Sequence, residues 1–196
     1  MTGVQTCALP IFQSDFVQVD EDTRINVKLK SGQETEINAP GPKVTHAQFE
    51  QLLSQIRRTT NDDIVIVAGS VPNSIPSDAY AQIAQITEKT GAQLVVDAEK
   101  DLVETVLPYR PLFIKPNKDE LEVMFNTTVK SDEDVIKYGK EILKKGAQSV
   151  IISLGGDGAI YVDQHQSIKA VNPQGHVVNT VGSGDSTVAG MVAGLS

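Results

Sequence analysis

Cysteine is nearly absent from this chain. Cys7 is the only one, which excludes an intrachain disulfide framework and fits a reducing, cytoplasmic setting. Basic charge is also short: 17 Lys and Arg face 25 Asp and Glu, a net −8. That balance excludes nucleic acid or an anionic membrane as the main partner, so a polyanionic ligand must be held by locally concentrated cations. No apolar run approaches the length of a transmembrane helix. The opening residues lack the basic start and long apolar core of a signal peptide. His46, His165 and His176 show no metal-ligand spacing, and there are no internal repeats or low-complexity tracts. What remains, 196 residues with 40% hydrophobic content, is enough for one domain with a substantial core.

Residues 1–11 do not read as part of that domain. They resemble translated sequencing-adapter read-through and are set aside as a non-native leader, a natural disordered terminus being the alternative. Residues 23–30 alternate apolar and polar, as a half-buried strand does, and 34–38 can return as a second strand after the turn signal Ser31-Gly32-Gln33. Thr45 and Gln48 have the form of a capping box, opening a helix with Phe49, Leu52, Leu53 and Ile56 on one face.

Beyond these, apolar strands alternate with helices. Strands are predicted at 64–68, 94–96, 112–114 and 149–153, and helices at 77–90, 102–107, 118–125 and 131–145. Continuous apolar strands between helices indicate a parallel sheet covered on both faces. Residues 159–162 and 167–171 read as a later hairpin. In such a sheet, ligands gather at the carboxyl ends of the strands.

The densest chemical signal is Asn179-Thr180-Val181-Gly182-Ser183-Gly184-Asp185-Ser186, ahead of an Ala/Gly-rich apolar stretch. Gly182 and Gly184 let main-chain amides converge on an anion at a helix N-terminus, and Asp185 is carried into the first helical turn. A carboxylate beside an anion site can abstract a hydroxyl proton next to a phosphoryl group. It can equally serve as an N-cap. Other segments fall at strand ends: Gly69-Ser70-Val71-Pro72, Lys115-Pro116-Asn117-Lys118-Asp119-Glu120, and Ser153-Leu154-Gly155-Gly156-Asp157-Gly158. Asn117 and Glu120 can organise Mg²⁺ and its waters, or simply cap a helix. Lys115 is a candidate phosphate contact or a solvated lysine. Period-two geometry would put Arg24, Asn26 and Lys28 on one strand face, as a grip on a sugar phosphate or as the wet face of a strand.

Together these segments resemble the ribokinase-like (PfkB) family of carbohydrate kinases, with Ser183 where the family's G-A-G-D signature most often has Ala. The resemblance covers nearly everything from about Asp15 onward. It implies an α/β, doubly wound, mostly parallel sheet with a small β-hairpin lid. The implied domains are the lid and a flanking strand at 12–40 and an α/β nucleotide- and sugar-binding domain at 41–196. It implies Asp185 as catalytic base. Gly182, Ser183, Gly184, Lys115, Ser153, Gly155 and Gly158 would hold ATP and its phosphates. Arg24, Asn26, Lys28, Gly69 and Ser70 would bind substrate, and Asn117 and Glu120 would organise Mg²⁺ and its waters. ATP would be the co-substrate and a sugar phosphate the acceptor, with fructose 1-phosphate preferred over tagatose 6-phosphate. A homodimer through the lid is a further implied partner.

The family's first lobe, with its Gly-Gly-rich sugar-binding segment, finds no counterpart here, and the chain stops at Ser196. The expectation is therefore an internal fragment, truncated at both ends, that does not turn over at a useful rate. A non-catalytic nucleotide-binding product is the competing reading. A nicotinamide-dependent reductase would require G-x-G-x-x-G between a first strand and helix, and no such arrangement is present.

Overall fold

The computed structural model describes residues 13–31 and 33–195; the expected leader at 1–11 lies outside them. The chain divides into two compact units. One contains the described residues up to Gln55 together with Pro72–Pro76, and the other contains Ile56–Val71 together with the described residues from Ser77 on.

The first unit is built on an antiparallel hairpin. Strand β1 (Asn26–Ser31) pairs with β2 (Gln33–Asn38), in a register running from Asn26 opposite Asn38 to Ser31 opposite Gln33. Residues 13–25 carry no strand or helix, so Arg24 precedes β1 instead of lying in it. The ladder reaches back only as far as Ile25, whose carbonyl accepts from the Ala39 amide at 3.3 Å. Helix α1 (His46–Ile56) opens on the expected capping box: Thr45 N–H donates to Gln48 Oε1 at 2.8 Å, and Gln48 N–H donates to Thr45 Oγ1 at 3.3 Å. Its buried stripe is Phe49, Leu53 and Ile56, spaced i, i+4, i+7. Leu52 falls one position off that stripe and is exposed.

The second unit is a six-stranded sheet in the order β3-β4-β5-β6-β7-β8. Strands β3 (Ile64–Ala68), β4 (Gln93–Asp97), β5 (Phe113–Ile114) and β6 (Ser149–Ser153) are parallel. Strand β7 (Ala159–Asp163) and the edge strand β8 (Ser167–Ala170) then return antiparallel, as their alternating sequences suggest. The crossovers carry α2 (Ala79–Thr90), α3 (Lys100–Val106), α4 (Lys118–Phe125) and α5 (Asp132–Lys145). The last helix, α6 (Ser183–Leu195), follows β8.

Helices cover both faces. On one, Gly139 of α5 brings the helix backbone close to Val162 and Ile152. On the other, Val188 of α6 packs with Val95, Phe113 and Ile151, flanked by Met191 and Val192. The α/β class, mostly parallel sheet and late hairpin are as the sequence pattern indicates. Among the described residues no helix is long and apolar enough to cross a membrane.

Candidate active site

The pleat of the sheet delivers chemistry to the face that α6 covers. Side chains two apart in a strand share a face. Val95 and Phe113, both in the core beneath α6, are therefore followed on the same face by Asp97 and Lys115, and Ile151 by Ser153. Strand β5 is only two residues long, so the chain leaves the sheet at Lys115, whose amide still donates to the Val96 carbonyl at 3.1 Å.

Lys115 is 7% exposed. Its Nζ lies 3.1 Å from Oδ1 of Asp97 and against Gly184, where an added Cβ would meet the ammonium at 3.4 Å. The predicted phosphate contact is thus a buried lysine, seated at the start of α6 instead of extending into solvent.

The Gly182–Asp185 turn matches the geometry its sequence suggests, with one difference. Gly182 takes φ +79°, the left-handed region that favours glycine, and its carbonyl accepts the first helical bond from Ser186 N–H at 2.9 Å. Ser183 N–H turns back onto the Thr180 carbonyl at 3.2 Å. Of the three amides expected to cradle an anion, the turn itself therefore engages the middle one. Asp185 sits exposed on the first turn of α6.

Asn117 and Glu120 form a reciprocal cap on α4. Glu120 N–H donates to Asn117 Oδ1 at 2.8 Å, and Asn117 N–H donates to Glu120 Oε2 at 2.7 Å. Burial pushes the Glu120 carboxyl above its usual range. The Asn117 amide and the Lys115 charge oppose the rise, while Asp97 and Glu99 add to it. Among the described residues no group of three or more His, Cys, Asp or Glu could hold a metal. A Mg²⁺ ion keeps most of its waters and needs one or two carboxylates beside substrate phosphates, so this donor set fits it through water and not as a protein cage.

The glycine loop after β6 is held as a tight turn. Leu154 N–H donates to the Gly158 carbonyl at 2.8 Å, and Asn172 Nδ2 donates to the Gly155 carbonyl at 2.9 Å. Gly158 has φ +92°, and any Cβ there would overlap the Ala170 carbonyl, so this glycine is required by the turn. Ser153 is held through its main chain, its amide donating to the Pro116 carbonyl at 3.0 Å. Gly69 follows β3, its N–H donating to the Asp97 carbonyl at 3.0 Å and its own carbonyl accepting from the Tyr80 hydroxyl at 2.7 Å. Burial first, and the charge of Asp97 second, push the Tyr80 hydroxyl up to about 12.

Gly69, Ser70, Lys115, Asn117, Glu120, Ser153, Gly155, Gly158 and Gly182–Asp185 all belong to the second unit; Arg24, Asn26 and Lys28 belong to the first. The backbone places Asn26 and Lys28 in β1 opposite Asn38 and Glu36, and the side chain of Lys28 lies outside what the structure describes. Sequence reasoning missed Asp97. Its signal was a lone carboxylate ending the apolar run Leu94-Val95-Val96, at the carboxyl edge where parallel sheets place ligands.

In this mostly parallel α/β sheet a lysine, a glycine turn and a helix-borne aspartate lie at the carboxyl ends of the strands, where such sheets place ligands. Residues 13–196 match the pfkB family carbohydrate kinases, and the chain belongs to that family. It is 42% identical over 184 residues to a 1-phosphofructokinase of Bacillus subtilis, covering 94% of this chain and 61% of that protein. A D-tagatose-1-phosphate kinase of Bacillus licheniformis is 36% identical over 177 residues, covering 90% and 58%. A Staphylococcus aureus crystal structure, provisionally described as a phosphofructokinase, superimposes with a TM-score of 0.85 at 78% identity. That match covers 98% of this chain and 63% of the other. The chain thus spans about three fifths of the length of the relatives it matches.

Proposed function

We propose that the gene product containing these residues is an ATP-dependent phosphosugar kinase, converting fructose 1-phosphate to fructose 1,6-bisphosphate in the cytoplasm. The observation that carries this reading is the Lys115 ammonium buried against Gly184, one residue from Asp185 at the start of α6. An ammonium and helix N-terminal amides are both positive features, and their convergence calls for an anion between them.

Asp185 takes the proton from the acceptor hydroxyl as its oxygen attacks the γ-phosphorus of ATP, and ADP leaves. Lys115 and the amides of Gly182 and Gly184 hold the charge of the transferring group. Ser153, Gly155 and Gly158 support the nucleotide. Arg24, Asn26, Lys28, Gly69 and Ser70 bind the sugar phosphate. Glu120, with Asn117 orienting it, would hold Mg²⁺ through water, and that ion when bound neutralises phosphate charge.

The partner we assign to the hairpin is a second copy of the chain. Ile25, Val27, Leu29 and Ile37 are 67%, 42%, 48% and 55% exposed, and Val27 stands directly opposite Ile37. A two-stranded sheet with an uncovered apolar face is marginal in water, and a second hairpin laid on it supplies the cover.

The test is ADP release with Mg²⁺-ATP and a panel of fructose 1-phosphate, tagatose 1-phosphate, tagatose 6-phosphate and fructose 6-phosphate, using the protein in its full genomic reading frame. Fructose 1-phosphate should give the highest kcat/KM. A tagatose phosphate giving the highest value would reassign the acceptor. Nucleotide binding without turnover on any sugar would favour the non-catalytic reading.

A further inference from the structure

We propose that Asp97 is a positioning residue, which holds Lys115 at the start of α6 and fixes the Gly69 turn with the same residue's main chain. The role assigned to Lys115 rests on the kinase reading above; the positioning of its ammonium does not.

The case begins with an electrostatic mismatch. A helix N-terminus is the positive end of the helix dipole, so a cation there is disfavoured and an anion favoured. Lys115 nevertheless has its side chain 8% exposed, with its ammonium against the second residue of α6. A buried ammonium is tolerated only with a counter-charge. Among the described residues the carboxylate that supplies one is Asp97, at 3.1 Å and 19% exposed. The strand pleat makes the pairing inevitable, since Asp97 and Lys115 each follow a core residue of the same sheet face by two positions. Removing the Asp97 carboxylate would take away the ion-pair partner of the ammonium, leaving the helix amides beside it and the half-buried Glu120 as the more remote carboxylate. The long lysine stem would then swing toward water.

The main chain of Asp97 does separate work. Its carbonyl accepts from Gly69 N–H at 3.0 Å, and Gly69 is clamped from the other side by the Tyr80 hydroxyl at 2.7 Å. One residue therefore fixes a turn of the proposed sugar pocket through its backbone and the proposed phosphate contact through its side chain. A side-chain substitution at 97 isolates the second role, because the carbonyl stays.

Two measurements test this. In the chain as it stands, the ¹⁵N–¹H resonance of the Lys115 ammonium, assigned by its loss in Lys115→Met, should be protected from exchange in the wild type. It should broaden away in Asp97→Asn and persist in Asp97→Glu. An unchanged signal in Asp97→Asn overturns the proposal. If Asp97→Asn alone does not fold, the double variant Asp97→Asn, Lys115→Met should fold, because the unpaired charge has gone; failure of both to fold overturns it. In the full reading frame, Asp97→Asn should lower kcat/KM for ATP by roughly 10- to 100-fold, yet change it less than about threefold in a Lys115→Met background. Equal losses in both backgrounds overturn the proposal. Absence of any phosphosugar turnover in the wild type would sink the kinase reading while the resonance still decides the role of Asp97.

Discussion

Asp185 and Glu120 are both carboxylates on the first turn of a helix, yet their surroundings differ. Asp185 is exposed, whereas Glu120 is half-buried and its oxygen already accepts the Asn117 amide. If Asp185 takes the acceptor proton, Asp185→Asn should reduce kcat by roughly 10²-fold or more with nucleotide affinity nearly unchanged. Steady-state kinetics beside nucleotide titration decides it, and near-normal turnover would remove Asp185 from that role. For Glu120 the raised carboxyl pKa gives a stability prediction. The stabilisation belonging to its protonated form is fully present below the ordinary value of 4.5 and is lost as pH rises through the raised value. Glu120→Gln keeps an acceptor for the cap but does not titrate. Thermal melts from about pH 4 to pH 8 should therefore show the variant gaining on the wild type as pH rises. A constant difference would mean that burial does not disfavour this carboxylate. Asn117, Glu120, Gly182 and Gly184 were legible because each follows local rules of capping and turn chemistry. Asp97 was not, because its partner lies 18 residues further along the sequence (115 − 97) and only sheet pairing unites them.

At the scale of elements, β3, β6 and α4 match their predicted bounds to the residue. Each is a continuous apolar run or an amphipathic helix with a strong start signal. The misses lie at element boundaries, where contacts beyond the local pattern decide. Helix α2 begins at Ala79 and not Ser77, and its cap residue Asp78 makes no side-chain capping bond that would mark the position. Strand β1 begins at Asn26, opposite the end of β2 at Asn38, so Arg24 lies outside the ladder and its face is not set by strand pairing. Arg24 can still serve the hairpin's proposed role from that position. Arg24→Ala should raise KM for the sugar phosphate several-fold more than KM for ATP. Equal effects on both would indicate a folding defect, and no effect would mean that Arg24 does not touch the sugar phosphate.

For the whole molecule, a net charge of −8 leaves little general attraction for phosphorylated ligands, so the proposed site would depend on local cations such as the buried Lys115. Self-association is the other whole-molecule property within reach of a test. Val27→Lys puts a charge in the centre of the exposed hairpin face, opposite Ile37. Sedimentation or light scattering should show a dimer in the wild type and a monomer in the variant, with the second unit's thermal transition retained. A wild type that stays monomeric at every accessible concentration would rule out the hairpin interface. Apolar runs alternating with helices foretold the sheet class, but apolar alternation in a hairpin reads the same whether it faces a core, a ligand or a twin.

The short central strand has a consequence that is a matter of counting. On the sheet face beneath α6, Val95, Phe113 and Ile151 serve the core, and Asp97, Lys115 and Ser153 stand one pleat further on. On this face the odd positions carry both duties, while the even positions Leu94, Val96, Ile114, Val150 and Ile152 are buried on the opposite face. Adding or deleting one residue inside β4, β5 or β6 exchanges odd for even, turning the hydrophobic anchor and the polar group away together. Two residues restore the parity while displacing the polar group along the strand by one pleat repeat. An odd insertion in these strands should therefore bring the apolar even positions beneath α6 and remove Asp97, Lys115 and Ser153 from that face, taking the proposed phosphate site with them.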